Sequence, residues 1–99
     1  MYYSIEMINT VVLSAKSKKD LQGLPSYIIR KLLAWVEDVE TRGLENVRLV
    51  PGYHDEPLKG NRKGQRSIRL NKAYRAIYIL KSDGTIEFVE VIEVNKHDY

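Results

Sequence analysis

Over Tyr2 to Ile8, Tyr3, Ile5 and Met7 alternate with Ser4 and Glu6, a period of two that predicts a short half-buried strand. Thr10 then offers a cap for a helix running toward Gly23, with Val11, Val12, Ala15 and Leu21 as apolar positions and a solvated segment from Lys16 to Lys19. The next segment has a cleaner helical period. Pro25 and Ser26 form an entry signal, Ile28, Leu32, Trp35, Val36 and Val39 fall on one face, and Gly43 stands where a helix ends, so a helix is predicted over Ser26 to Arg42. The short connection Leu21 to Pro25 makes the two helices an antiparallel hairpin.

After a loop rich in Gly and Pro, Val50 to Gly64, the period returns to two. Ser67 to Asn71, Tyr74 to Lys81 and Ile86 to Val94 read as three strands, with Asp83-Gly84 as the hairpin turn between the last two. The sum is an α+β domain: an N-terminal strand, then an antiparallel helical hairpin covering one face of a C-terminal antiparallel sheet. Ninety-nine residues are enough for one core, so residues 1–99 are expected to form a single domain.

Charge changes this picture. The chain has 16 Lys+Arg and 13 Asp+Glu. Yet Lys59, Arg62, Lys63, Arg66, Arg69, Lys72, Arg75 and Lys81 fall between Pro57 and Ser82 without a single acid among them. Outside that stretch acids outnumber bases, so the modest net charge of +3 conceals a basic half mounted on an acidic remainder. A charge run of this kind is often only a solvated face, but one placed on strands also concentrates phosphate ligands by releasing their counterions.

Composition excludes several chemistries. Zero Cys rules out a disulfide scaffold and a thiolate metal site, and the two His, at 54 and 97, lack metal-ligand spacing. There is no glycine-rich phosphate loop, no apolar run near the ~20 residues of a membrane span, and no signal-peptide pattern at the N-terminus. The expectation is a cytoplasmic protein that uses no metal and no cofactor and does not engage a membrane.

The motifs Glu56-Pro57-Leu58-Lys59-Gly60, Arg66-Ser67-Ile68-Arg69 and Tyr74-Arg75-Ala76-Ile77-Tyr78, followed by His97 and Tyr99, resemble in their order the RelE/ParE superfamily of bacterial type II toxins. Glu-Pro-Leu-Lys and the His and Tyr at the C-terminus are most similar to the RelE, YoeB and HigB branch, and Tyr53-His54 is HigB-like. The resemblance implies a toxin that cuts mRNA codons in the ribosomal A site without a metal, by attack of a ribose 2′-hydroxyl on the adjacent phosphate. It also implies a cognate antitoxin protein as partner.

Such a reaction needs a base, cations for the phosphorane charge, and an acid for the leaving oxygen. By the resemblance Arg75 meets the scissile phosphate, where a planar, permanently charged fork suits bidentate contact. Glu56, His54 and His97 are the candidates for proton transfer, and Tyr99 can donate to the leaving oxygen or stack on a base. Lys59, Arg62, Lys63, Arg66 and Arg69 are the expected RNA contacts. Gln65-Arg66 replaces an aromatic pair typical of YoeB-like sequences, and Ser67 lies where some relatives carry a lysine. Two alternatives share the stripe: a ParE-like toxin acting on DNA gyrase through protein contacts, and a noncatalytic nucleic-acid-binding module.

Overall fold

The computed structural model describes residues 7–96. Its chain order is β1 (Val11–Leu13), α1 (Ala15–Leu21), α2 (Ser26–Arg42), α3 (Leu44–Val47), β2 (Glu56–Pro57), β3 (Arg66–Arg69), β4 (Tyr74–Ser82) and β5 (Glu87–Lys96). The sheet order is β1-β5-β4-β3-β2, with β1 parallel to β5 and the remaining pairs antiparallel. This is the expected α+β architecture, with a C-terminal antiparallel meander and helices on one side.

Helix α2 occupies Ser26–Arg42 as its periodicity predicts. Ile28, Leu32, Trp35 and Val39 lie on the buried stripe, each such burial stabilising by about 1.5–3 kcal/mol. They meet Ile68, Ala76, Tyr78, Val89, Val91 and Val94 of the sheet and Leu70 just beyond β3. The Trp35 and Tyr78 rings are 5.4 Å apart between centroids and tilted by 41°. Gly43 ends the helix for two reasons: its φ of 83° belongs to the left-handed region, and a Cβ there would collide with Met7.

The N-terminal third departs from the sequence reading. Of the strand expected over Tyr2 to Ile8, residues 1–6 lie outside the described residues, and Met7 and Ile8 are not strand. Val11 and Val12, read as the start of a helix capped by Thr10, instead form β1 against Val89 and Glu90 of β5. The helical cap is Ser14, whose Oγ accepts from the Ser17 N–H at 3.0 Å, so α1 is shorter than predicted. Beyond β1, α1 runs along the outer edge of β5. Ser14 N–H donates to Val91 O and Ser14 Oγ–H to Ile92 O, while Asp20 accepts from the Val94 N–H. This satisfies backbone groups that β1 is too short to reach.

The three C-terminal strands form close to their predicted bounds. Asn71, expected at the end of a strand, belongs to the turn: its Oδ1 accepts from the N–H groups of Ala73 and Tyr74 at 2.7 and 2.8 Å. Asp83-Gly84 turns as predicted, with Gly84 at φ 90° and Asp83 Oδ1 taking the N–H groups of Thr85 and Ile86. A two-residue edge strand, β2, escaped the sequence reading. It pairs Glu56 with Ser67 and Pro57 with Arg66, and an edge is where a sheet tolerates Pro.

A register shift between Ile77 and Tyr78 decides which way β5 faces. Tyr78 pairs with Val91 but Ile77 with Glu93, leaving Ile92 as an extra residue. Because of this bulge Val91 and Val94 both face the core although three positions apart, while Glu93 and Asn95 face away from the helices.

Candidate functional site

The register collects the site on the sheet face turned away from the helices. Glu56 pairs with Ser67 across β2 and β3, and two residues on, Arg69 pairs with Arg75 of β4, which in turn pairs with Asn95 of β5. Side chains two apart on a strand share a face at about 7 Å, and neighbouring strands lie about 5 Å apart. Glu56, Ser67, Arg69, Arg75 and Asn95 therefore occupy one compact patch. A cavity of about 130 Å³ opens there, lined by His54, Glu56, Ser67, Ile68, Arg69, Asn71, Tyr74 and Arg75.

Two guanidinium groups directly opposite one another repel, an arrangement that sheets avoid unless something gains from it. Among the described residues no carboxylate pairs with Arg69 or Arg75. Arg75 donates from Nε to Asn95 Oδ1 at 3.2 Å, which leaves its Nη donors free of protein partners among those residues. Two cations without carboxylate partners among the described residues thus stand beside the hollow.

His54 and Glu56 flank Asp55, and Asp55 sets their placement. Its side chain is fully buried and both oxygens are taken: Arg66 Nε–H donates to Oδ1 at 2.6 Å and Tyr78 O–H to Oδ2 at 2.5 Å. Burial, reinforced by this hydrogen bond, pushes the Tyr78 phenol up, so it stays neutral as a donor. His54 ends a 3-10 turn (Pro51–Tyr53) in the left-handed region at φ 46°, a conformation that costs a residue with a Cβ about 1–2 kcal/mol. That strain is held by two anchors, Asp55 on one side and Tyr53 on the other. Tyr53 O–H donates to Asp38 Oδ2 at 2.8 Å, and burial together with this bond pushes its pKa up to about 12.

The other basic residues separate by environment. Arg66 is committed to Asp55, and Arg62 to Glu93 and Gln65 at 3.0 and 2.9 Å. Lys59 and Lys63 are exposed on the loop before β3 and do not line the cavity. His97 and Tyr99 lie outside the described residues; His97 directly follows Lys96, which pairs with Tyr74 at the rim of the hollow. Of the expected site residues the structure thus brings Arg75, Arg69, Glu56 and His54 together.

Sequence reasoning missed Asp55, Asn71, Glu93 and Asn95. Asn95 and Glu93 share a strand face by simple period, a signal available in the sequence, but facing Arg75 follows from the bulge. Burial alone would raise the Glu93 carboxyl; hydrogen bonds from Asn95 and Arg62 outweigh it and hold the pKa below the usual value. No group of three His, Cys, Asp or Glu able to hold a metal occurs among the described residues. No helix among them is long and apolar enough to cross a membrane.

Residues 11–97 match the family of the ParE toxin of type II toxin-antitoxin systems, parDE. A curated relative, Toxin HigB-1 of Vibrio cholerae serotype O1, is 41% identical over 56 residues, 56% of this chain and 59% of that toxin, so the match spans little more than half of either. Among solved structures, YafQ from E. coli superposes with a TM-score of 0.70 at 19% identity, covering 90% of this chain and 93% of YafQ. The YoeB/ParE toxin from Agrobacterium tumefaciens gives 0.65 at 22% identity over 90% and 99% of the two chains. The YoeB-YefM complex from Staphylococcus aureus gives 0.65 at 20%, over 90% and 97%. At these identities the structural likeness establishes the fold, and the family match establishes descent: this chain belongs to the ParE toxin family of type II toxin-antitoxin systems, within the RelE/ParE superfamily.

Proposed function

We propose that this toxin is an endoribonuclease that cuts mRNA in the A site of the translating ribosome. The observation that carries the reading is the opposed pair Arg69 and Arg75, without carboxylate partners among the described residues, in one hollow with Glu56 and His54. A toxin acting through protein contacts alone has no need to bring a carboxylate and an imidazole to an anion site.

In the proposed reaction the scissile phosphate sits between Arg75 and Arg69, whose fixed charges stabilise the phosphorane more than the ground state. Glu56 or His54 takes the 2′-hydroxyl proton, the 2′-oxygen bonds to phosphorus, and the bond to the 5′-oxygen breaks. His97 or Tyr99 returns a proton to that oxygen, leaving a 2′,3′-cyclic phosphate. The side chains supply charge and proton transfer, and the proposed route involves no metal. Lys59 and Lys63, on the exposed loop, add sequence-independent contacts to mRNA or ribosomal RNA. Arg62 and Arg66 shape the site from behind.

The partner expected in the cytoplasm is a cognate antitoxin. The YoeB-YefM complex from Staphylococcus aureus and the RelBE2 toxin-antitoxin complex from Mycobacterium tuberculosis share this fold, which supports the reading. An acidic or amphipathic antitoxin segment fits a basic face on an otherwise acidic chain.

The test is induction in a bacterium, followed by mapping of mRNA 5′ ends with translation running and with it blocked. Translation-dependent cuts at a defined position within codons are expected. Intact mRNA alongside a DNA-damage response would replace this reading with a gyrase-directed toxin.

A further inference from the structure

One chain of hydrogen bonds crosses the open sheet face and ends on Arg75. Arg62 donates to Glu93 Oε1 at 3.0 Å, the Asn95 Nδ2–H donates to Glu93 Oε2, and Asn95 Oδ1 accepts from Arg75 Nε at 3.2 Å. Arg62 is itself fixed by Gln65 at 2.9 Å. The order of these contacts leaves the amide of Asn95 only one orientation. A carboxylate can only accept and a guanidinium can only donate, so the Asn95 NH₂ must face Glu93 and its oxygen must face Arg75.

We infer that Asn95, locked by Glu93 and Arg62, is a positioning residue that turns the Arg75 fork into the cavity. Taking the Nε–H consumes one of five guanidinium donors and leaves the four on the Nη atoms for a phosphate. The charge pattern fits this task. An acid at position 95 would neutralise Arg75 and weaken its hold on an anion; an amide orients it and leaves its charge whole. Glu93, the carboxylate in this chain of hydrogen bonds, is a step removed from Arg75 and is matched by Arg62. In this arrangement Arg62 serves the reaction from the rear of the site rather than by touching RNA.

The catalytic part of this inference rests on the proposed mRNA cleavage, and the tests separate the two. With ribosomes translating a defined mRNA, Asn95→Ala should lower kcat by about tenfold to a hundredfold through misplacement of Arg75, and leave KM within about twofold. Glu93→Ala should follow it, with Glu93→Gln restoring most of the rate, because Gln keeps an acceptor for Asn95. In an Arg75→Ala background, Asn95→Ala should have no further effect; an undiminished effect there would overturn the inference, since Asn95 would be acting through something else. A second readout needs no activity: the Arg75 Nε–H proton, followed by NMR on the full chain, should exchange slowly in the native protein and quickly in Asn95→Ala. Equal protection in both would sink the positional link. Protection lost in Asn95→Ala, together with a native chain that leaves ribosome-bound mRNA uncut, would retain the link and reject the cleavage reading instead.

Discussion

On the helix-covered face of the sheet Ile68, Ala76, Tyr78 and Val94 are each under 5% exposed and belong to the core with α2, whereas on the opposite face the same strands carry Arg69 and Arg75 beside an open hollow, with Asn95 next to Arg75. One set of strands therefore answers to two demands, separated only by the side-chain period of two. The covered face follows the rule that polar groups are paired when buried: Asp55, fully buried, holds Arg66 and Tyr78 with both oxygens. The open face breaks the rule that like charges are not opposed. Among the arginines, then, position 66 tests stability and positions 69 and 75 test function.

The largest expected effect lies on the open face. Arg75→Ala should reduce ribosome-dependent mRNA cleavage by about a hundredfold to a thousandfold, the loss usual for a donor aimed at developing charge, while urea denaturation shows no loss of stability, because the change also relieves the repulsion with Arg69. Arg66→Ala should reverse this pattern. Removing one partner from the buried Asp55 costs about 3 kcal/mol, read as a lowered urea midpoint, with activity falling only as far as the loop bearing His54 and Glu56 loosens. If Arg66→Ala proved as stable as the native chain, the division of labour between the faces would fail.

A smaller effect has the opposite sign. Arg69→Gln should raise stability by about 0.2–1 kcal/mol, because it relieves the repulsion across β3 and β4, and should lower cleavage in the same preparation. A variant more stable and less active is the signature of a site that holds repulsion for function.

The smallest effect is a slope. Tyr78 and Tyr53 are neutral donors to buried or half-buried carboxylates, and their native pKa values lie above the unfolded value of about 10. The stability tied to their neutral forms is whole below pH 10, then declines as pH rises toward and through the native values, about 12 for Tyr53. Tyr78→Phe should thus be less stable than the native chain at pH 7 by about 1–2 kcal/mol, from the lost bond to Asp55. Its stability should fall less steeply between pH 10 and 11.5, and equal slopes in that window would remove Tyr78 from the alkaline response.

Much of the covered face was legible in the sequence. The α2 stripe, the Asp83-Gly84 turn and the three C-terminal strands follow from periodicity and turn chemistry, which act over a few residues. The basic stripe was legible as a stripe, but not its division. Arg62, Arg66, Arg69 and Arg75 are alike in sequence, and only the fold assigns carboxylates to two of them. β1 was misread because Val11 and Val12 fit a helix start as readily as a strand, and their partners, Val89 and Glu90, are nearly eighty residues away.

The sequence by itself determined α2, the three C-terminal strands and the concentrated positive charge between Pro57 and Ser82, because local period and composition are properties of neighbours in the chain. The tertiary structure alone decided that one extra residue at Ile92 lets Val91 and Val94 face the core while Glu93 and Asn95 face away from the helices, on the side that carries Arg75. A bulge is a choice of register between two strands, fixed by what each side must bury, and no single strand contains that information.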